Sequence, residues 1–324
     1  MKNSLILFLL ILLFWIPGRQ REKGESAASR QIRIALILKT LNSPFFNDLK
    51  DGAVSAAERL NVELIVQAPE REIDVEKQMQ IIENLIQSRV NAICVTPSGS
   101  RELIPAIGKA NQAGIPVLIV DTRIDEQAAR DEGVKTVTFI GSDNYQGGKI
   151  AGEYIASLST AQLKVAVLEG IPGHETGDNR VRGFREGIEK YAQVRIVASQ
   201  PANWERDQGY NVMQNLLQAH PDIEVVFACN DLMALGAMEA IAAAGKSEKI
   251  RIIGFDAVEE ARQEILANRI LASVAQHPNE MGQLAVETAV KALAGDSIPP
   301  YIPVNIELIT RDNLVLDTGG TQTQ

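Results

Sequence analysis

The sequence predicts an α/β protein built as two doubly wound, parallel-sheet lobes. Short Ile- and Val-rich runs recur about every 25–30 residues, amphipathic helical stretches lie between them, and the runs are apolar throughout rather than alternating. Continuous apolar runs mean strands covered on both faces, and strand–helix–strand spacing means βαβ units in a parallel sheet. At 324 residues the chain is long enough for two domains.

The first series of runs is Ile32–Leu38, Val62–Val66, Ala92–Val95, Pro116–Val120 and Val137–Ile140. The second is Lys164–Leu168, Val194–Ala198, Glu224–Ala228, Arg251–Phe255 and Leu271–Ala275. Helices are expected over 46–60, where Leu49, Ala53, Ala56 and Leu60 share a face, and over 75–88, with Met79, Ile82 and Ile86. Two more are expected over 207–219, with Tyr210, Met213 and Leu217, and over 232–244, stopped by Gly245. The junction between the series falls near Gly141-Ser142-Asp143, with no Pro- or Ser-rich linker. The tail Pro299–Thr310 reads as one more extended segment that returns across the domain boundary.

The N-terminus reads as an export signal. Met1-Lys2-Asn3-Ser4 is short and basic, Leu5–Ile16 is an apolar run of 12, and Pro17-Gly18 breaks it. As a helix that run is about 18 Å long, short of a ~30 Å hydrocarbon core. The small residues Ser26–Ser29 offer a cut, which sets the signal at 1–29; an uncleaved anchor is the alternative. No Cys lies near the run to carry a lipid.

Composition removes several classes. With 41 acidic and 32 basic residues, net −9, the chain has no electrostatic reason to seek nucleic acid. Its two cysteines, Cys94 and Cys229, sit in apolar runs and read as inert core thiols. Three histidines are too few for a His-rich metal site, and no cofactor is expected. The phosphate-binding loop, the dinucleotide fingerprint, the G-x-S-x-G elbow and H-E-x-x-H are all absent.

In open parallel sheets ligands bind beyond the carboxyl ends of the strands. The residues just after the runs are Lys39, Thr96, Asp121, Asp143, Gly170, Asn230, Asp256 and Gln276. One Asp or Asn there is usually a turn former, but the set reads as a shared polar site. Asp121 and Asp256 accept, Asn230 and Gln276 do both, Lys39 donates, and Arg180 can reach from the loop after Gly170. Such a mixture suits polyols, whose hydroxyls each donate once and accept twice. Phe45, Phe46 and Trp204 add flat faces for a sugar ring, although Phe45 and Phe46 also read as core anchors and Trp204 as an ordinary surface residue.

The segments KTLNSPFFNDLKDGA (39–53), IPVLIVDTRID (115–125), IGSDNYQGGKIAGEYIA (140–156), the long stretch from Ala198 to Ala237 and ASVAQHP (272–278) resemble, in order, the periplasmic ribose-binding proteins of ABC importers. The resemblance covers nearly all of 32 to 312. It implies a two-lobed type I receptor without catalysis, joined by a three-segment hinge. It also implies a first lobe of 32–142 plus 277–305 and a second of 143–276 plus 306–314.

By resemblance, Phe45, Phe46 and Trp204 hold the ring, with Trp204 replacing a Phe. Asp121, Arg180, Asn230, Asp256 and Gln276 match in type, and Phe255 matches an aromatic beside the second Asp. Four positions depart: Lys39 stands for Ser, Ser43 for Asn, Thr96 for Asn, and Thr122 for an Arg, with Arg123 next door. These put ribose in question as the ligand. Lys39 suits a sugar acid, or else lines the cleft mouth through water.

The implied partners are a sugar and a membrane permease, with the protein monomeric and periplasmic. An exported sensor that presents its sugar to a chemoreceptor or sensor kinase is the alternative. A LacI-type regulator core is the weaker one, because only about 31 residues precede the core, too few for its DNA-binding domain.

Overall fold

The computed structural model describes residues 31–158 and 160–319; the export signal expected over 1–29 lies outside the described residues. No helix among the described residues is long and apolar enough to cross a membrane. The first half of the chain runs β1 (Arg33–Ile37), α1 (Pro44–Leu60), β2 (Glu63–Gln67), α2 (Val75–Gln87), β3 (Ala92–Val95), α3 (Ile104–Gln112), β4 (Val117–Val120), α4 (Glu126–Asp131) and β5 (Phe139–Gly141). The second runs α5 (Asn144–Ser157), β6 (Leu163–Glu169), α6 (Glu175–Glu189), β7 (Val194–Pro201), α7 (Arg206–Ala219), β8 (Val225–Ala228), α8 (Asp231–Ala243), β9 (Arg251–Asp256), α9 (Glu259–Leu266) and β10 (Ala272–Ala275). The chain closes with α10 (Pro278–Ala294), β11 (Tyr301–Pro303), β12 (Glu307–Thr310) and α11 (Arg311–Gly319).

These strands form two six-stranded sheets, ordered β11-β5-β4-β3-β1-β2 and β12-β10-β9-β8-β6-β7. The doubly covered architecture follows from side-chain alternation. In β1, Ile34 and Leu36 enter the core under α1 and α10, while Ala35 and Ile37 enter the core under α2 and α3. In β3, Ala92 and Cys94 face the first core and Ile93 and Val95 the second. A strand apolar on both faces is what a helix layer on each side requires.

The chain passes between the sheets three times: from β5 to α5, from β10 to α10, and from β11 to β12. The tail expected as one extended segment is therefore two strands. β11 pairs parallel with β5 in the first sheet, and β12 pairs antiparallel with β10 in the second. Helix α11 follows, which the sequence pattern does not announce.

Three helix pairs pack backbone to backbone through glycines. A Cβ on Gly52 would overlap the Asn279 carbonyl, and one on Gly282 the Leu49 carbonyl, which locks α1 to α10 across more than two hundred residues of sequence. Gly148 and Gly183 do the same for α5 and α6, and Gly209 and Gly236 for α7 and α8. All three pairs carry site residues at or near their N-terminal ends, so the close approach also sets where those residues stand.

Candidate functional site

A cavity lies between the lobes, beyond the carboxyl ends of the strands. The first lobe contributes Lys39 from the β1–α1 loop, Ser43, Phe45 and Phe46 from the start of α1, Glu72 from the β2–α2 loop, and Asp121 from the end of β4. The second contributes Thr176 and Arg180 of α6, Trp204 after β7, Asn230 before α8, Asp256 ending β9, and Gln276 after β10. Two hydrogen bonds cross between the lobes at its edge: Thr176 Oγ1 donates to Thr122 Oγ1 at 3.2 Å, and the Glu175 amide to Ser100 Oγ at 3.5 Å.

The second lobe's wall is hydrogen-bonded into place. Arg180 is 3% exposed; its Nε donates to Asn144 Oδ1 at 2.8 Å and its Nη1 to the Cys229 carbonyl at 2.6 Å and to Asp256 Oδ1 at 3.5 Å. Its guanidinium carbon sits 3.7 Å from the centre of the Phe255 ring and 5.6 Å from that of Trp204. Gln276 Nε2 donates to Asp256 Oδ1 at 2.9 Å. Asn230 caps α8 by accepting from the Met233 amide at 2.9 Å, and donates to the Trp204 carbonyl at 3.1 Å. Burial pushes the Asp256 carboxyl above its ordinary range, against the opposing pull of Arg180.

The backbone is strained at three of these positions. Asp121, Trp204 and Asp256 have φ of 63°, 69° and 108°, in the region that favours glycine. The turn after Asp256 is held from below: Ala257 N donates to Ser273 Oγ, Ser273 Oγ donates to Asp231 Oδ1, and Val258 N donates to Asp231 Oδ2. Gly170 is explained by Trp204, whose ring lies where a Cβ would stand.

In the first lobe, Lys39 is 2% exposed, with its Nζ 3.7 Å from Glu72 Oε2 and 3.9 Å from Asp121 Oδ2. Glu72 is brought there by its loop: the Glu70 carbonyl accepts from Thr40 Oγ1 and Asn42 Nδ2. Burial raises the Glu72 carboxyl to about 7, partly offset by Lys39. Gln78, fully buried, braces the strand ends behind by donating to the Leu38 and Thr96 carbonyls.

Ten of the thirteen residues expected in the site line the cavity, and three do not. Thr96 is fully buried and its hydroxyl donates to the Ile37 carbonyl. Thr122 donates to Asp121 Oδ2 at 2.9 Å and so orients that carboxylate. Phe255 points the opposite way from Asp256, as neighbours on a strand must, and supports Arg180 from behind. Of the other strand-end residues, Asp143 caps α5. Lys39 is not at the cleft mouth, because two carboxylates draw its ammonium inside. Glu72 and Thr176 line the cavity without a strand-end signal. Glu72 lies five residues past β2 in a charged stretch that reads as solvated loop, and Thr176 lies on a helix. Both thiols are buried and free, and burial raises each to about 12.

Residues 34–297 match the periplasmic binding protein domain. The chain belongs to the periplasmic binding protein family. It is 39% identical over 278 residues to the ribose import binding protein of Escherichia coli K12, covering 86% of this chain and 90% of that one. It is 33% identical over 294 residues to the D-allose-binding periplasmic protein of the same organism, covering 89% and 94%. A solved ABC transporter periplasmic solute-binding protein from Actinobacillus succinogenes 130z, with bound D-allose, superposes with a TM-score of 0.83 at 36% identity, covering 87% of this chain and 98% of that one. The two-lobed type I architecture is thus shared with sugar solute-binding proteins.

Proposed function

We propose that this protein is the exported solute-binding receptor of an ABC importer, which captures a monosaccharide or related polyol between its lobes without transforming it. The carrying observation is a cavity whose wall mixes carboxylates, amides and cations, and two of whose lining residues, Gln276 and Trp204, each keep a buried polar atom with no partner, Oε1 and Nε1. Orphaned buried groups are rare in native proteins, and a bound ligand is one way to satisfy them. Hydroxyls that both donate and accept fit such a wall, and Phe45, Phe46 and Trp204 offer faces to a ring. The sugar names of the relatives support the same reading.

In this reading Lys39, Ser43, Phe45, Phe46, Glu72, Asp121, Arg180, Trp204, Asn230, Asp256 and Gln276 contact the ligand, and Thr96, Thr122 and Phe255 hold them from behind. Residues 32–142 with 277–305 form one lobe, and 143–276 with 306–314 the other. The three crossings act as the hinge. Residues 1–29 direct export to the periplasm, where the closed face is presented to a membrane permease.

A thermal-shift screen against pentoses, hexoses, deoxy sugars, polyols and sugar acids tests this. A ligand at 100 times its Kd stabilises by about 2.7 kcal/mol, well within reach of a melting curve. Silence across the whole panel would remove the sugar from the reading.

A further inference from the structure

The cavity holds five ionisable side chains: Lys39 and Arg180 against Glu72, Asp121 and Asp256. Arg180 is engaged by Asp256, Asn144 and the Cys229 carbonyl. Lys39 has a carboxylate on each of two sides. Neither cation is therefore free to receive an anion, and the acidic groups outnumber the basic ones. The Lys39–Glu72 and Lys39–Asp121 separations exceed hydrogen-bond length, so the three groups are associated by charge with their directional bonds unmade. A ligand hydroxyl placed among them accepts from the ammonium and donates to a carboxylate at once.

We propose that Lys39 and Glu72 form a specificity-determining pair that reads one ligand hydroxyl and rejects a carboxylate in its place, making this a receptor for neutral sugars with Glu72 as the residue that enforces neutrality. The inference rests on the sugar-receptor reading above. It reverses the expectation that a lysine in the cleft marks a sugar acid. Within a buried site a like charge is costly, since low local polarity strengthens repulsion and neither partner can be re-solvated. Removing the Glu72 charge leaves Lys39 balanced by Asp121 alone and takes away the acidic excess.

The experiment is titration calorimetry on the exported protein at about pH 8, above the value of about 7 to which burial raises Glu72. The probes are D-ribose, D-allose, D-glucose and D-galactose, each beside the uronate made by oxidising its terminal carbon. For any neutral sugar that binds, its uronate is expected to bind at least about 100-fold more weakly. In Glu72→Gln, which keeps the shape, that ratio should shrink by about tenfold or more. Lys39→Met should weaken the neutral sugar and leave the uronate rejected. Unliganded melting curves establish that each variant is folded. A uronate that binds the wild type as well as its parent sugar overturns the proposal, as does a ratio unchanged in Glu72→Gln. If none of these probes binds and the thermal-shift panel is silent as well, the receptor reading fails and this inference with it, an outcome distinct from the other two.

Discussion

The two walls of the cavity are built on different terms. In the second lobe every charged or amide group that faces the cavity is tied to its neighbours by hydrogen bonds: Arg180 to Asn144, Cys229 and Asp256, Gln276 to Asp256, and Asn230 to both Trp204 and the start of α8. In the first lobe the charges of Lys39, Glu72 and Asp121 attract at 3.7 and 3.9 Å without closing hydrogen bonds between the ammonium and the carboxylates. The second wall is largely preorganised, with Gln276 Oε1 and Trp204 Nε1 left without partners, whereas the first has no hydrogen bond among its charges. Preorganisation lowers the ordering cost of binding, and an unfinished wall is where selectivity is set.

The largest effect that tests this contrast comes from cutting one group on each side. Arg180→Ala leaves Asp256 buried without its cation, and orphans Asn144 Oδ1 and the Cys229 carbonyl. Breaking a buried charge pair costs about 3–5 kcal/mol. Sugar binding should disappear, and the unliganded melting temperature should drop by several degrees. Asp121→Ala should also abolish measurable binding, yet barely move the unliganded melting temperature, because Lys39 keeps Glu72. Equal destabilisation of the free protein by both variants would show that the walls are alike.

A smaller effect comes from the helix contacts beneath each wall. A methyl at Gly148 would strike the carbonyl of Arg180 itself, whereas one at Gly282 would strike that of Leu49 in α1. Overpacking of this kind costs about 1–3 kcal/mol, so both alanine variants should melt earlier by a similar margin. Gly148→Ala should in addition weaken sugar binding by about tenfold, since α6 carries Arg180 in the rigid wall. Gly282→Ala should weaken it less, because the first wall has room to readjust. Isothermal titration of the two variants decides between them.

How much of this was legible in the sequence follows the same division. Buried strands such as Ala92–Val95 and Val117–Val120 announce themselves, because a strand covered on both faces has no polar residue to interrupt it. The rule that ligands meet strand ends finds the cavity-lining Asp121, Asn230, Asp256 and Gln276, which stand at or within two residues of the ends of strands. It overreaches at Thr96 and at Asp143. Thr96 has its hydroxyl satisfied by a backbone carbonyl, and Asp143 serves as a helix cap. It misses Glu72, which reaches the cavity only because Thr40 and Asn42 fasten its loop from thirty residues away. β11 and β12 read as one segment for a related reason: a three-residue and a four-residue strand in a Pro-rich tail carry too little pattern to reveal a change of sheet.

The smallest effect separates the walls by titration. Burial raises the Glu72 carboxyl in the first lobe to about 7, and raises the Asp231 carboxyl beneath Asp256 in the second, with the neighbouring Asp256 charge adding to it. A carboxyl whose folded value lies above its unfolded one binds its proton more tightly when folded. Its contribution to stability is fully present below the unfolded value and is lost as pH rises through the folded one. His174, lowered by burial to about 4, works in the opposite sense, and its effect fades within about a unit above 6.5, so it offsets part of the fall only up to about pH 7.5. Between about pH 6.5 and 8.5 the unliganded protein should therefore lose stability, by roughly 1 kcal/mol from Glu72 alone, or about 2–4 °C in melting temperature. Glu72→Gln should flatten the first-lobe share of that slope. Asp231→Asn keeps an acceptor for Val258 N and a partner for Ser273, and should flatten the second-lobe share. A melting temperature that rises with pH across this window, or one whose slope neither variant alters, would mean that the buried carboxyls of both walls stay ionised and that the contrast between them is one of hydrogen bonding only.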